Sequence, residues 1–188
     1  MTSPAGSPSV AEAVGRGLVG CGVSHVFGVV GSGNFHATNA LIAAGARFVP
    51  AAHEGGAASM ADAYARVSGQ LPALSVHQGP GVTNALTGVA EAAKSRTPLI
   101  VLAPEATNPR SNFYIDLAGV AAAIGAGFRR VTAERVAIDV AEACRAATSG
   151  TGQTIVLGLP LDVQAQPAGA AQPAPWVDPA LAPWTAQR

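Results

Sequence analysis

Short apolar runs alternate along the chain with longer segments in which apolar residues recur every three to four positions. The short runs, such as "HVFGVV", "PLIVLAPEA" and "QTIVLGLP", are typical of buried strands. The longer segments, such as "VAEAVGRGLVGCGV" and "AERVAIDVAEACRAATSG", are typical of amphipathic helices. Because strands and helices alternate and several strands are continuously apolar, the pattern predicts an α/β fold. We expect a doubly wound, mainly parallel sheet flanked by helices.

The chain divides into one predicted domain and two terminal segments. The lead, residues 1–9, is polar and carries prolines, and we expect it to be flexible. Residues 165–188 are rich in proline and alanine, which excludes a regular helix or an interior strand and indicates a tail or linker. The domain is therefore predicted over residues 10–164. Trp176 and Trp184 lie in the tail, where they would dock either on this domain or on a partner.

Composition excludes several classes of function. Of 188 residues, 49% are hydrophobic and 12% charged, and the 11 basic and 11 acidic residues cancel without forming a basic cluster. This argues against nucleic acid or an anionic membrane as a partner. The chain has no signal-peptide pattern and no apolar run long enough to span a membrane, so we expect it to be cytoplasmic. Cys21 and Cys144 lack metal or redox spacing and are predicted to be buried, reduced thiols.

Three loops at the predicted carboxyl ends of strands carry the candidate chemistry, because open α/β sheets bind ligands there. The first, "GVVGSGNFH", is a glycine-rich turn before a helix whose N-terminus favours an anion. Its glycines, followed by Glu54 after the second strand, suggest a nicotinamide-binding Rossmann domain. His36 stands where that motif has its third glycine, and a bulky side chain there would obstruct helix–strand packing.

The second loop, "PAAHEGG", places Glu54 where an apolar strand meets a helix rich in glycine and alanine. Small side chains on several faces of this helix indicate that a ligand, another helix or both approach its backbone closely. A plainer alternative is that Glu54 is only a first-turn acid stabilised by the helix dipole. On that alternative, His53 is simply its neighbour at the strand end.

The third loop, "SVHQGPGVTN", is sharply turned by Gly79 and Gly81 around a proline. Thr83 or Asn84 is predicted to cap the helix that follows. His77 lies at the strand end, and histidine suits proton transfer because it titrates close to neutral pH. A purely structural role for His77 is an equally open alternative.

Together these segments resemble the pyrimidine-binding (PYR) domain of thiamine-diphosphate-dependent enzymes of the acetolactate synthase and benzoylformate decarboxylase group. The matching pieces are "VFGVVGSGN", "HEGGAASMADAYARVSG", "GPGVTNALTGVAEAAKSRTPLIVL" and "GQTIVLGLPLDVQ", in the family's order over residues 10–164. The resemblance implies that Glu54 hydrogen-bonds N1′ of the aminopyrimidine ring. Sharing a proton there would promote the imino tautomer, whose nitrogen removes the thiazolium C2 proton.

The resemblance also implies roles for the other two loops. Gly31, Pro80 and Asn84 would line the cofactor cleft together with Glu54. Ser32 and His77 would face the substrate, as in the benzoylformate decarboxylase branch, and His77 would join Glu54 as a catalytic residue. The residue before Gly31 is valine, where the family often has proline.

A second domain is implied by a missing motif. The family binds the diphosphate and Mg²⁺ through Gly-Asp-Gly and a later asparagine, and Gly-Asp-Gly does not occur in these 188 residues. We therefore expect no metal site on this chain and interpret it as the PYR subunit of a split 2-keto acid decarboxylase or carboligase, acetolactate synthase-like. A separate diphosphate-binding (PP) subunit would complete an α2β2 enzyme. An excised fragment of a longer enzyme, a non-catalytic binding or regulatory module, and the nicotinamide-binding domain are the alternatives.

Overall fold

A computed structural model describes residues 7–171 of the chain. The helices are α1 Val10–Gly20, α2 Phe35–Ala43, α3 Glu54–Ser68, α4 Pro80–Lys94, α5 Leu117–Ala123 and α6 Val136–Thr148. The strands are β1 His25–Gly28, β2 Arg47–Pro50, β3 Ala73–Ser75, β4 Leu99–Glu105, β5 Gly127–Arg130 and β6 Thr154–Pro160.

The strands form one sheet in the order β2-β1-β3-β4-β6-β5, and every pair is parallel. Helices α1, α2 and α6 bury one apolar cluster against one face, and α3, α4 and α5 bury another against the opposite face. Strands β4 and β6 are buried at every residue, which explains their unbroken apolar sequence. The predicted doubly wound α/β fold is confirmed.

The described parts of the two terminal segments lie against each other. Ser9 caps α1 in a reciprocal hydrogen-bonded box with Glu12. Beside it, the Val10 amide donates to the Gln166 carbonyl (2.9 Å) and the Ala168 amide donates to the Pro8 carbonyl (2.8 Å). Residues 1–6 and 172–188, with both tryptophans, lie outside the described residues. Within residues 7–171, no helix is both long and apolar enough to cross a membrane.

After two neighbouring strands, the chain continues on opposite faces of the sheet, and this creates a crevice at their carboxyl ends. Strand β1 continues through α2 on one face, whereas β3 continues through α4 on the other. Ligands of open α/β sheets bind at such a switch point. The strand order differs from the 3-2-1-4-5-6 order of dinucleotide-binding domains and disfavours the nicotinamide hypothesis. The steric objection raised for His36 does not hold, because this side chain is exposed.

The loop that follows β1 is fixed by the fully buried side chain of Asn34. Asn34 Oδ1 accepts a hydrogen bond from the Gly31 amide (2.7 Å). Its Nδ2 donates to the Val29 carbonyl (3.0 Å) and to the Ser75 hydroxyl on β3 (3.0 Å). Because one amide side chain satisfies three partners, it ties the glycine loop to the neighbouring strand.

Backbone contact between α1 and α2 depends on Gly15. A Cβ added at Gly15 would lie 2.5 Å from the Ala40 carbonyl carbon and 2.7 Å from the Leu41 nitrogen. Both of these are backbone atoms, so the two helices would have to separate. In contrast, a Cβ added at Gly20 of the same helix meets nothing within 4 Å.

We expect Gly15→Ala to lower the free energy of unfolding by about 1–3 kcal/mol, because the methyl group overpacks the α1–α2 contact. Gly20→Ala is the matched control and should change stability by less than about 1 kcal/mol. Urea unfolding followed by far-UV circular dichroism measures both. Equal midpoints for Gly15→Ala and the unchanged protein would contradict this account of the helix contact.

Asn34→Ala should cost about 1–3 kcal/mol of unfolding free energy, because it leaves the Gly31 amide and buried oxygens without their partner. Asn39→Ala, at an exposed position of α2, is the control. Its unfolding free energy should stay within about 0.5 kcal/mol of that of the unchanged protein. The same urea titration compares them. If both variants unfold alike, Asn34 does not hold the loop.

Candidate functional site

Three side chains meet around the first turn of α4: Glu54 on α3, Asn84 on α4 and His77 in the loop after β3. Glu54 is the first residue of α3 and is half-buried, and its Oε2 accepts a hydrogen bond from Asn84 Nδ2 at 3.0 Å. A Cβ added at Gly81 would lie 3.3 Å from Glu54 Oε1 and 2.9 Å from His77 Cβ. Gly81 therefore leaves the space in which the carboxylate and the histidine approach the same turn.

The position of Glu54 follows from the cap of its helix. Strand β2 ends at Pro50, and His53 is the N-cap, with its Nδ1 accepting from the Gly55 amide at 3.0 Å. The sequence interpretation left His53 without a role, because the cap position usually holds serine, threonine, aspartate or asparagine. The first-turn carboxylate next to this cap is also stabilised by the helix dipole, so the plainer reading of Glu54 is compatible with the site.

The small residues of α3 are explained in part by its contact with α4. A Cβ added at Gly88 would lie 2.6 Å from Ala58 Cβ, and one at Gly55 would lie 3.3 Å from the Asn84 carbonyl oxygen. Close approach of another helix is therefore confirmed. The exposed face of α3 carries an uncharged stripe: Gly56, Met60, Ala63 and Val67. Met60 and Val67, which is 88% exposed, give this stripe an apolar surface.

Ser32 and His77 are brought together at the switch point. Ser32 Oγ lies 3.3 Å from His77 Nε2, and His77 Nδ1 lies 3.0 Å from the Gln78 carbonyl oxygen. Because a carbonyl oxygen only accepts, Nδ1 carries the ring proton. In the neutral ring, Nε2 is then an acceptor that faces the serine hydroxyl. Gly31 packs against the same ring, since a Cβ there would collide with His77 Cδ2.

The prediction that Thr83 or Asn84 caps α4 is wrong. The helix begins earlier, at Pro80, with Gly79 as its N-cap. Proline suits the first helical position because its missing N–H has no partner there in any case. Thr83 Oγ1 instead donates to the Pro80 carbonyl at 3.0 Å, and the Asn84 side chain is directed to Glu54. Pro80 itself is exposed at the rim of the crevice.

Phe113, which the sequence interpretation missed, forms one wall of the site. Its ring meets His77 edge-to-face, with ring centroids 5.5 Å apart. Gly79 has a φ of +61°, and a Cβ there would lie 2.9 Å from the Phe113 carbonyl oxygen. The only sequence signal was the aromatic content of the irregular stretch between β4 and α5. That signal did not indicate which loop the ring would contact.

Gln78 and Gln164, which the sequence interpretation also missed, contact the glycine loop that follows β1. Gln164 Nε2 donates to the Gly33 carbonyl at 3.0 Å, and both glutamines are 5% exposed. The Gln78 side chain packs directly on Gly33, where any Cβ would collide with it. Gln78 Oε1 is buried and has no hydrogen-bond partner among the described residues. Gly33 therefore leaves the space that the Gln78 side-chain amide occupies.

The donor set of this crevice suits a heterocycle better than a metal ion. Among residues 7–171, no group of three or more histidine, cysteine, aspartate or glutamate side chains could hold a metal. Glu54 offers a single carboxylate held from one side by Asn84, with an open glycine next to its other oxygen. A ring nitrogen that shares a proton with one carboxylate oxygen fits this arrangement, whereas Mg²⁺ needs several oxygen ligands.

The chain is similar in sequence to proteins of one family. The family described as "Thiamine pyrophosphate enzyme, N-terminal TPP binding domain" matches residues 8–119. Sulfoacetaldehyde acetyltransferase of Alcaligenes xylosoxydans xylosoxydans is 43% identical over 94 residues, covering 50% of this chain and 16% of that protein. The acetolactate synthase large subunit of Buchnera aphidicola subsp. Schizaphis graminum is 31% identical over 161 residues, covering 82% of this chain and 28% of that subunit.

The fold is shared with a solved thiamine diphosphate-dependent 4-hydroxybenzoylformate decarboxylase of Rhodococcus jostii RHA1. The TM-score is 0.76 at 24% identity, over 86% of this chain and 32% of that one. The chain spans less than a third of the length of each of these proteins. The family match covers more than half of the chain and includes all three loops of the crevice. This chain belongs to the thiamine pyrophosphate enzymes, as their N-terminal TPP-binding (PYR) domain.

Proposed function

We propose that this chain is the PYR subunit of a thiamine-diphosphate-dependent 2-keto acid decarboxylase or carboligase of the acetolactate synthase type. The observation that carries the proposal is the Glu54–Asn84 pair beside Gly81, at the switch point of the sheet. Relatives named as an acetyltransferase, an acetolactate synthase and a probable 2-ketoarginine decarboxylase support this reaction class.

Glu54 is the group we assign to the cofactor. Asn84 Nδ2 holds Oε2, which orients the carboxylate and leaves Oε1, next to Gly81, to share a proton with N1′ of the aminopyrimidine ring. Gly31 and Pro80 would line the cofactor cleft. Bound thiamine diphosphate supplies the nucleophilic carbon and the electron sink for decarboxylation.

Ser32 and His77 are the groups we assign to the substrate. With its ring proton on Nδ1, His77 presents Nε2 as an acceptor toward the Ser32 hydroxyl. This pair can hold a proton at a defined atom or transfer it to a substrate bound beside it. The Phe113 ring packs edge-to-face on His77 and restricts its rotation.

The diphosphate and Mg²⁺ are assigned to a second domain on a separate subunit, in an α2β2 assembly. Two observations support a diphosphate site outside this domain: Gly-Asp-Gly is absent from the 188 residues, and residues 7–171 contain no ligand cluster. The apolar stripe of α3 begins two residues after Glu54 and offers a surface for that partner. A longer polypeptide that carries both domains is the other arrangement.

Glu54→Gln should reduce turnover of a 2-keto acid such as pyruvate by about 10²–10⁴-fold, because the amide cannot share a proton with the ring nitrogen. The assay uses this chain together with a co-purified PP subunit, thiamine diphosphate and Mg²⁺. This chain without the partner should show no turnover and no Mg²⁺-dependent binding of the cofactor by calorimetry.

Glu134→Gln, an exposed carboxylate remote from the crevice, is the matched control and should keep full turnover. Full activity of Glu54→Gln with the partner would contradict the assigned role. A stable complex that binds the cofactor without any turnover would favour the non-catalytic module. Activity of this chain alone would contradict the split arrangement.

His77→Ala should lower kcat by about 10²-fold, because a positioned proton donor or acceptor contributes at least this much. KM for the 2-keto acid is expected to change less than kcat, since the histidine acts on the reacting group. His36→Ala, an exposed histidine on the neighbouring helix, is the control. Steady-state kinetics of the assembled enzyme measures both, and an unchanged kcat for His77→Ala would assign this residue a structural role.

A further inference from the structure

Apart from the crevice, a cavity lies between α1 and α6, on the face of the sheet opposite to α3 and α4. It is an open groove of about 590 Å³, in the size range of ligand pockets (about 300–1,000 Å³). Its walls come from both helices and its rim from the last described residues of the chain. The main lining residues are small: Ala13, Gly17, Gly20, Ala137, Ala141 and Ala168.

Small residues line the groove on both helices, beside a close contact between them. A Cβ added at Gly17 would lie 3.0 Å from Val140 Cγ1, so the helices already touch there. Nearer the end of α1, a Cβ added at Gly20 meets nothing within 4 Å, so the space beside this residue is open. The result is an apolar, small-walled space that a bulky ring can enter without displacing backbone.

The described part of the chain ends beside this groove. The Ala168 amide donates to the Pro8 carbonyl (2.8 Å) and the Gly169 amide donates to the Ala133 carbonyl (2.7 Å). These bonds fix the chain along the rim as far as Ala170, which lines the groove. Trp176 follows six residues later, and six residues span at most about 20 Å. The groove, which extends from Ala13 to Gly20 along α1, is about 10 Å long, so it is within reach.

We propose that this groove binds the indole ring of Trp176 from the same chain. An aromatic side chain is the type that gains most from small apolar walls, because it buries about 150–250 Å². Arg16 is the one charged residue among those lining the groove in the described structure. Its guanidinium suits both the face of an indole ring and the carboxylate of Asp178, two residues further along the sequence.

The sequence around Trp176 favours this residue over Trp184. Pro173 and Pro175 precede Trp176, and prolines reduce the conformational freedom that docking must remove. Trp184 lies eight residues further from the rim, so its effective concentration at the groove is lower by about three- to fourfold. The proposal involves the face remote from Glu54 and does not depend on the proposed function.

Tryptophan fluorescence of the full chain tests the proposal directly, because Trp176 and Trp184 are its only two tryptophans. In Trp184→Phe, emission comes from Trp176 alone. We expect it to be blue-shifted and less quenched by acrylamide than in a synthetic peptide of residues 172–188 with the same change. Adding Gly20→Phe, which fills the groove, should return emission and quenching to the peptide values.

Ala122→Phe, an exposed position of α5 on the other face, is the matched control and should leave Trp176 emission unchanged. Should Gly20→Phe fail to fold by circular dichroism, Arg16→Glu replaces it, and this charge reversal should increase acrylamide quenching of Trp176. Peptide-like emission in Trp184→Phe, or emission indifferent to folded groove variants, would overturn the proposal. A blue shift that disappears on dilution would assign the groove to a second copy of the chain and would also overturn it.

Discussion

Parallel pairing of β1 with β2 on one side and β3 on the other is the constraint on which the candidate site depends. Gly28 stands opposite both Pro50 and Ser75, so the carboxyl ends of three strands coincide at one edge. The approach is close enough that any Cβ at Gly28 would collide with the Ser75 carbonyl. Because the strands end together, the loops that follow them must share one crevice. The sheet register therefore determines which loops, and so which candidate catalytic residues, lie close together.

Buried polar side chains beneath the crevice hold these loops in place. Asn34 and Ser75 join the first and third loops, and Thr38 adds a hydroxyl contact to Ser75 at 2.8 Å. Gln164 adds a hydrogen bond from the far end of the domain. Each buried group would cost free energy without its partner, so the network favours a single arrangement of the loops. The exposed Ser32 lies in the loop that this network holds.

The two faces of the sheet present different surfaces. On one face, α3 and α4 pack through glycine and alanine and leave an uncharged stripe beside Glu54. On the other, α1 and α6 approach closely at Gly17, and small residues of both helices line the groove beside the last described residues. Small residues therefore serve two purposes, close helix contact on one side and open space on the other. The sequence alone does not distinguish these purposes, because both use the same residue types.

Hydrophobic periodicity was sufficient to predict the alternating strands and helices, since each buries an apolar face whatever its neighbours. The motifs around Glu54, His77 and Gly31 were sufficient to indicate the family, because they are local in the chain. The strand order, the start of α4 at Pro80 and the roles of Phe113, Gln78 and Gln164 were decided only by the tertiary structure. Gln164 and Gly33 are 131 residues apart, and nothing local in either segment encodes their hydrogen bond. Contacts of that kind arise only when the sheet has formed, because the register of β1, β3 and β6 determines which loops become neighbours.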